Sequence, residues 1–361
     1  MKKKTIFLVG ADTGGHVVPV FALAQKFLAK NSAKVVVIGV GSTIEKNFYS
    51  KLSGVDYKII SAGKFSRGKY FLNFLAGLKL IFGFIQSKIW ILKYRPSAIF
   101  LKGGYATLPV AYAARFFRIP VFAHESDAVL GKSNRLISKF AKKIFLSYPP
   151  EVYNLENNNI QNSGLIIRED FLKRTGVTGS SKKTILVIGG SLGAHSINKA
   201  VFETIEKLAD NYLVVHQTGE SDYSEAEKIS GQLLKKEVKN YQPKKFIDDN
   251  LVDILAKSDI VISRSGSIVG EFAAMKKATI LIPYPYASLN HQEKNAKYFA
   301  EKKATILIED KNLSPTILFS AISKIFSSPK IKTELGENLF SAAKTDGLKI
   351  VYEELIKSMK I

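Results

Sequence analysis

Two stretches of this chain share one build, and that repetition limits the fold more than any other feature. Thr5–Val9 is a short apolar-rich run, followed by the glycine turn Gly10–Gly15 and the helical run VVPVFALAQKFLAK. Ile185–Ile188 is a second apolar run; Gly189, Gly190, Ser191 and Gly193 form a turn, and Ala194 to about Leu208 reads as a helix. Apolar runs of this length are buried strands. A glycine turn between strand and helix aims backbone N–H groups and the helix N-terminus at an anion, usually a phosphate. The pair predicts an α/β fold of two Rossmann-like domains facing a cleft. A length of 361 residues suits two such domains better than one core. We place the first at 1–165 and the second at 166–340, with a helix at about 341–361 packing back on the first. The Asn-rich stretch Asn154–Ser163 reads as the linker between them.

Charge narrows the partners. The formal net charge is +22, which suggests anions: phosphorylated substrates, an anionic membrane surface or nucleic acid. The lysines are scattered, and there is no zinc-finger spacing, RNP-like aromatic signature or DNA-reading basic helix, so no nucleic-acid partner is expected. Cys is absent, which excludes disulfides, thiolate nucleophiles and zinc-thiolate sites. The opening MKKKTIFLVG has too short an apolar run for a secretory signal and reads as the first strand.

Residues 68–95 are the most apolar stretch. Leu75, Leu78, Phe82, Ile85, Ile89 and Leu92 recur at helical spacing and read as a core seam. Phe71, Phe74, Ile81, Phe84, Trp90 and Ile91 extend the apolar surface beyond it. Lys79, Lys88 and Lys93 interrupt the run, so a membrane-spanning segment is not expected. An interfacial helix fits, its apolar side chains in the acyl boundary and its lysines at anionic headgroups. Arg115–Arg118, RFFR, places Phe116 and Phe117 between two arginines as a second membrane contact.

The chemistry-bearing residues cluster after strands. His16 opens the first helix beside a glycine turn, where its ring can face a cleft. Lys102–Tyr105 follows a strand, as do His124 and Glu125, a pair suited to acid–base or orienting work. Adjacent strand residues point to opposite faces, so at most one of that pair reaches the cleft. The turn Arg264–Gly270 leads to Glu271, well placed for the helix dipole or for ribose hydroxyls. The first turn, GADTGG, is not GxGxxG, and Walker A, HExxH and DxD spacings are all absent, so neither a kinase nor a metal-bridged diphosphate site is expected. A two-domain nucleotide-sugar transferase remains: helix N-termini and an Arg stabilise a departing diphosphate while a base deprotonates an acceptor hydroxyl.

TGGHVVPVFALA (13–24), KGGYATLP (102–109), HESDAVLGKSNR (124–135), GGSLGAHSIN (189–198), FIDD (246–249), SRSGSIVGE (263–271) and HQEKNA (291–296) resemble, in order, the motifs of the MurG family, transferases that add N-acetylglucosamine to lipid I. The resemblance implies a GT-B fold, located peripherally at the cytoplasmic face of the cell membrane. It implies an inverting transfer from UDP-GlcNAc to the 4-hydroxyl of MurNAc in undecaprenyl-diphosphate-MurNAc-pentapeptide, with no metal or cofactor. By position, Thr13, Gly14 and Gly15 line the acceptor and donor side, and His16 is the candidate base, with Glu125 second. Gly103, Gly104, Tyr105 and Glu125 face the acceptor. The donor falls to Asp127, Arg168, Ser191 (diphosphate), Ile247 (uracil, through its backbone), Ser267, Ile268, Val269, Gly270, Glu271 (ribose) and Gln292 (sugar). The proposed membrane contacts are Phe74, Phe82, Phe84, Phe116 and Phe117. Three departures stand out: the first turn lacks a glycine before Thr13, HESD replaces HEQN, and SRSGSIVGE is a residue short. Other readings fit the same residues: a related transferase acting on diacylglycerol, a UDP-GlcNAc epimerase, or a non-catalytic basic membrane-surface protein with a degenerate transferase fold.

Overall fold

The computed structural model describes residues 3–64, 68, 70–155, 159–174, 182–190, 193–247 and 250–361. It divides into two compact units, Met1–Arg168 with Asp346–Ile361, and Glu169–Thr345. The first carries seven strands: β1 (Thr5–Val9), β2 (Lys34–Gly39), β3 (Asp56–Ile59), β4 (Ala98–Leu101), β5 (Val121–Glu125), β6 (Lys143–Leu146) and β7 (Ile160–Asn162). They form one parallel sheet in the order β3-β2-β1-β4-β5-β6-β7. Between them run α1 (Gly14–Ala29), α2 (Thr43–Tyr49), α3 (Tyr70–Tyr94), α4 (Thr107–Phe116), α5 (Lys132–Ile137) and α6 (Pro150–Tyr153).

A parallel sheet covered on both faces needs strands that are apolar throughout, and β1 is. Ile6 and Leu8 enter one core with Val20, Leu23 and Phe27, while Phe7 and Val9 enter the opposite core with Val110 and Ala114. Val9 is level with Ile38 on β2 and with Leu101 on β4, so the loops after these three strands share one edge.

The second unit holds β8 (Thr184–Ile188), β9 (Leu213–Gln217), β10 (Tyr241–Lys244), β11 (Ile260–Ser263), β12 (Ala278–Leu281) and β13 (Ile306–Leu307). The parallel order is β10-β9-β8-β11-β12-β13. Its helices are α7 (Glu169–Lys173), α8 (His195–Asn211), α9 (Tyr223–Lys235), α10 (Leu251–Lys257), α11 (Val269–Ala274), α12 (His291–Glu301), α13 (Pro315–Phe326) and α14 (Pro329–Ala343). The last helix, α15 (Gly347–Met359), returns to the first unit, where Leu348, Val351, Leu355 and Met359 join the core beneath α1.

Three sequence expectations change. Ile160–Asn162, inside the expected linker, pairs with β6 as the seventh strand; polar composition there marks an edge strand. The first unit runs to Arg168 rather than 165, because Ile166 packs in its core. The third change concerns α3, whose expected core seam faces outward. Its buried residues are Ala76, Gly83, Ser87 and Ile91, a stripe of mostly small side chains that lets the helix lie close. A Cβ on Gly83 would come within 1.9 Å of the Ser61 carbonyl oxygen, and Gln86 Oε1 accepts the Ser61 N–H at 2.7 Å. Larger side chains could not approach backbone this closely, so they occupy the other faces: Phe74 is 64% exposed and Phe82 57%. By length and composition alone α3 is long and apolar enough to cross a membrane.

Candidate active site

In the first unit the site forms where β1 and β4 end. Asp12 adopts a left-handed conformation, φ 75°, and its N–H donates to Glu45 Oε1 at 2.8 Å. Glu45 is fully buried. Its carboxylate also accepts from Val40 N–H at 2.8 Å, Gly41 N–H at 3.0 Å, Ser42 Oγ at 2.9 Å and Tyr57 OH at 2.6 Å. Tyr49 OH completes the brace on the Gly10 carbonyl at 2.8 Å. The glycine turn is therefore held by a buried anion on a neighbouring helix, which no motif announced.

His16 stands on the first turn of α1. Its Nδ1 lies 3.2 Å from the Ala11 carbonyl oxygen and 3.2 Å from Thr13 Oγ1. A carbonyl only accepts, so this contact favours the proton on Nδ1 and leaves Nε2 as the basic nitrogen. Gly104, with φ +82°, faces the ring: a Cβ there would come within 3.0 Å of His16 Cε1. The glycine is thus needed for both its backbone and its lack of side chain. A cavity of about 210 Å³ is lined by Asp12, Thr13, His16, Lys64, Gly104 and Tyr105. Burial, with Asp12 and Glu45 nearby, pushes the Tyr105 phenol up to about 12. Tyr105 therefore keeps its proton and can donate. Gly14 and Gly15 are the first two residues of α1, and Gly103, with φ +93°, sits over the Asn134 amide.

Both His124 and Glu125 are buried at the end of β5. His124 Nε2 is 3.0 Å from the Gly164 carbonyl oxygen, and burial, reinforced by Lys102, pushes its pKa well below the usual range. It stays neutral in the core. Glu125 accepts from Asp127 N–H at 3.1 Å, Gly131 N–H at 2.9 Å and Asn134 Nδ2 at 2.9 Å. Both oxygens are thus engaged by the loop that follows β5 and by α5. Burial and Asp127 raise its pKa, opposed by buried Lys102. That lysine, behind Gly103, supplies a counter-charge for Asp127, the carboxylate standing where the resemblance expects an amide.

In the second unit the strands again end level: Ile188 pairs with Gln217 and with Ser263, and Ser263 with Leu281. Ser191 lies outside the described residues, but Gly190 and Gly193 flank it with φ +102° and +81°. Ile247 is buried. Ser267 and Ile268 are half-buried before α11. Val269 and Gly270 lie inside the helix and are buried, so they support the loop and offer no side chain to a ligand. Glu271, in the first turn of α11, is 8% exposed. Gln292 Oε1 accepts the Tyr284 N–H at 2.9 Å, which leaves the amide N–H₂ as its donor toward a ligand. Arg168 ends the first unit, half-buried.

Arg264 opens a turn in the sequence reading but receives no role there. Nη1 donates to the Ile282 carbonyl at 3.1 Å and to Asp310 Oδ1 at 2.5 Å, and Nη2 to Ser196 Oγ at 2.8 Å. It ties the loop after β11 to the start of α8. His195 is oriented in turn by Asp222, 3.0 Å from Nδ1. Among the described residues, no three His, Asp or Glu side chains are grouped to hold a metal ion.

Models of the glycosyltransferase family 28 N-terminal and C-terminal domains match residues 6–146 and 184–350. A relative from Geotalea uraniireducens is 32% identical over 98% of both chains. One from Thermodesulfovibrio yellowstonii is 35% identical over 91% of this chain and 92% of its own. Both are named UDP-N-acetylglucosamine–N-acetylmuramyl-(pentapeptide) pyrophosphoryl-undecaprenol N-acetylglucosamine transferase. Among solved structures, MurG from Acinetobacter baumannii superimposes with a TM-score of 0.73 at 22% identity, covering 98% of this chain and 99% of that one. A UDP-GlcNAc 2-epimerase from Neisseria meningitidis gives 0.67 at 14%, covering 98% and 100%; at these identities both show a shared fold.

Proposed function

Because this chain belongs to the MurG family of family 28 glycosyltransferases, we propose a base, a donor site and a membrane face for the reaction that goes with membership. That reaction is transfer of N-acetylglucosamine from UDP-GlcNAc to undecaprenyl-diphosphate-MurNAc-pentapeptide, converting lipid I to lipid II. The 4-hydroxyl oxygen of MurNAc forms a bond to the sugar C1 while the bond from C1 to the β-phosphate oxygen breaks. The electron pair leaves on UDP, and the hydroxyl proton passes to His16 Nε2.

The observation that carries this assignment is the contact of His16 Nδ1 with the Ala11 carbonyl at 3.2 Å, which favours the tautomer a general base needs. Tyr105, protonated in the same cavity, donates to the acceptor. On the donor side, Ser191 and the glycine turn take the diphosphate, Ile247 the uracil, Glu271 the ribose and Gln292 a sugar hydroxyl. No metal is required in this reading, because helix N-termini and Arg168 stabilise the leaving diphosphate. The exposed apolar face of α3 with Phe116 docks on the anionic cytoplasmic leaflet, bringing the enzyme to a bilayer-bound acceptor.

The test is transfer of labelled GlcNAc from UDP-GlcNAc to a short-chain lipid I analogue, with EDTA present, by wild type and His16→Ala. Wild type should transfer at an undiminished rate in EDTA, and the folded variant should lose at least about 10²-fold. Survival of activity in the variant overturns His16 as base. Loss of wild-type activity in EDTA overturns metal independence.

A further inference from the structure

A single buried amide joins the two halves of the donor site, and its residue belongs to no motif recognised in the sequence. Gln217 is the last residue of β9, in register with Ile188 on one side and Lys244 on the other. It is 1% exposed. Its Nε2 donates to the Gly190 carbonyl at 2.8 Å, and its Oε1 accepts the Ile247 N–H at 2.8 Å. Gly190 is on the glycine turn that takes the diphosphate, and Ile247 is the residue that meets the base. Both ends of the amide are engaged, so rotating the side chain breaks both contacts.

Packing adds to the constraint. A Cβ on Gly193 would come within 2.1 Å of the Thr218 carbonyl oxygen, so the turn is pressed against the residue that follows Gln217. The distance between a phosphate cradle and a base pocket decides how well a nucleoside diphosphate bridges them. If that distance is fixed before binding, ligand affinity is not diminished by ordering the two loops. The Ile247 N–H is also already engaged. Recognition of the base at this position therefore falls to the Ile247 carbonyl, which requires a ring N–H such as uracil N3–H.

We propose that Gln217 is a positioning residue for the nucleotide, setting the span between the diphosphate turn and the base loop through its two opposed hydrogen bonds. This rests on the reading of the second unit as the UDP-GlcNAc site. The full-length enzyme is assayed with Gln217→Met, which keeps the shape and loses both bonds, and with Gln217→Glu, which keeps only the acceptor for Ile247. The KM for UDP-GlcNAc, kcat and the inhibition constant of UDP are measured for each, with melting curves as the check on folding.

The Met variant should raise both KM and the UDP inhibition constant at least about tenfold, as expected for loss of two buried hydrogen bonds. Its kcat should change less than about threefold, since the brace acts on binding. The Glu variant, which sets a carboxylate oxygen against the Gly190 carbonyl, should raise both constants at least as much as Met, and it carries the test if the Met variant does not fold. A folded variant that binds UDP as wild type does overturns the proposal. So does a loss confined to kcat and thermal stability, which marks a structural role alone. A wild-type enzyme that does not bind UDP is a different failure: it overturns the donor-site reading and this inference with it.

Discussion

Glu45 makes no contact with a reacting group, yet the first glycine turn depends on it. Its carboxylate takes donors from Asp12, Val40, Gly41, Ser42 and Tyr57, and these contacts are charge-assisted in a buried site. Replacing it with Gln turns one acceptor oxygen into a donor facing donors. Glu45→Gln should cost about 2–3 kcal/mol of stability, read as a lower melting temperature. It should also reduce transfer, because Asp12 and the Ala11 carbonyl that orients His16 both lie on this turn. A variant with wild-type melting and activity would show that the network is dispensable. Sequence reading reached His16 because its signal is local, a histidine beside a glycine turn. It gave no role to Glu45, Gln217 or Arg264, because a decisive partner of each, Asp12, Gly190 and Ser196 respectively, lies far away in the chain. No spacing rule reports which acid or amide on another element will be close by.

α3 shows where periodicity informs and where it misleads. Helical spacing correctly marks Tyr70–Tyr94 as one helix, but two apolar faces compete for the core, and hydrophobicity alone favours the wrong one. The decision belongs to Ala76, Gly83 and Ser87, whose small size permits backbone approach, a steric property that apolar patterning does not weigh. The result separates the proposed membrane contacts. Phe74, Phe82 and Phe116 are exposed, whereas Phe84 and Phe117 pack partly against the first unit's core. Lys88 Nζ lies 4.2 Å from the Phe116 ring centroid, joining this residue to the α3 face. Phe74→Ser with Phe82→Ser should leave melting unchanged and weaken binding to anionic vesicles at least about tenfold, since each Phe withdrawn from the acyl boundary costs about 1.5–3 kcal/mol. Gly83→Val should do the reverse of a surface change and lower the melting temperature, because the new side chain meets the Ser61 carbonyl. Vesicle co-sedimentation beside thermal melts decides both; weaker vesicle binding that comes only with unfolding would return α3 to the core.

Each unit buries a neutral histidine under its sheet edge, His124 in the first and His216 in the second. His216 Nε2 is 2.9 Å from Asn198 Oδ1 and Nδ1 is 3.1 Å from Tyr241 OH; burial pushes its pKa from 6.5 to about 3. His124 is shifted in the same direction by burial and by Lys102. The unfolded chain takes up these protons near pH 6.5 and the folded chain does not, so this stability is full above pH 6.5 and is lost as pH falls toward about 3. The urea midpoint should fall between pH 7 and pH 5, and His216→Gln should flatten the part belonging to the second unit. A midpoint independent of pH over that range would contradict the burial of both rings as neutral groups. At this scale the sequence was most legible in its strand–turn–helix repeats, because buried parallel strands announce themselves by continuous apolar runs. The short polar edge strand β7 was hidden for the same reason, having nothing apolar to announce.

The return of α15 to the first unit has a consequence for how the chain is made. Leu348, Val351, Leu355 and Met359 fill the core beneath α1, and Tyr352 stacks edge-on to Phe27 at 4.8 Å. During synthesis, everything from Thr5 to Arg168 emerges with that part of its core open, and it stays open while the whole second unit is translated. The unit begun second can therefore close on itself first. Until the final helix clears the ribosome, the nascent first unit exposes an apolar groove in a crowded cell, in the span where chaperones have most reason to bind.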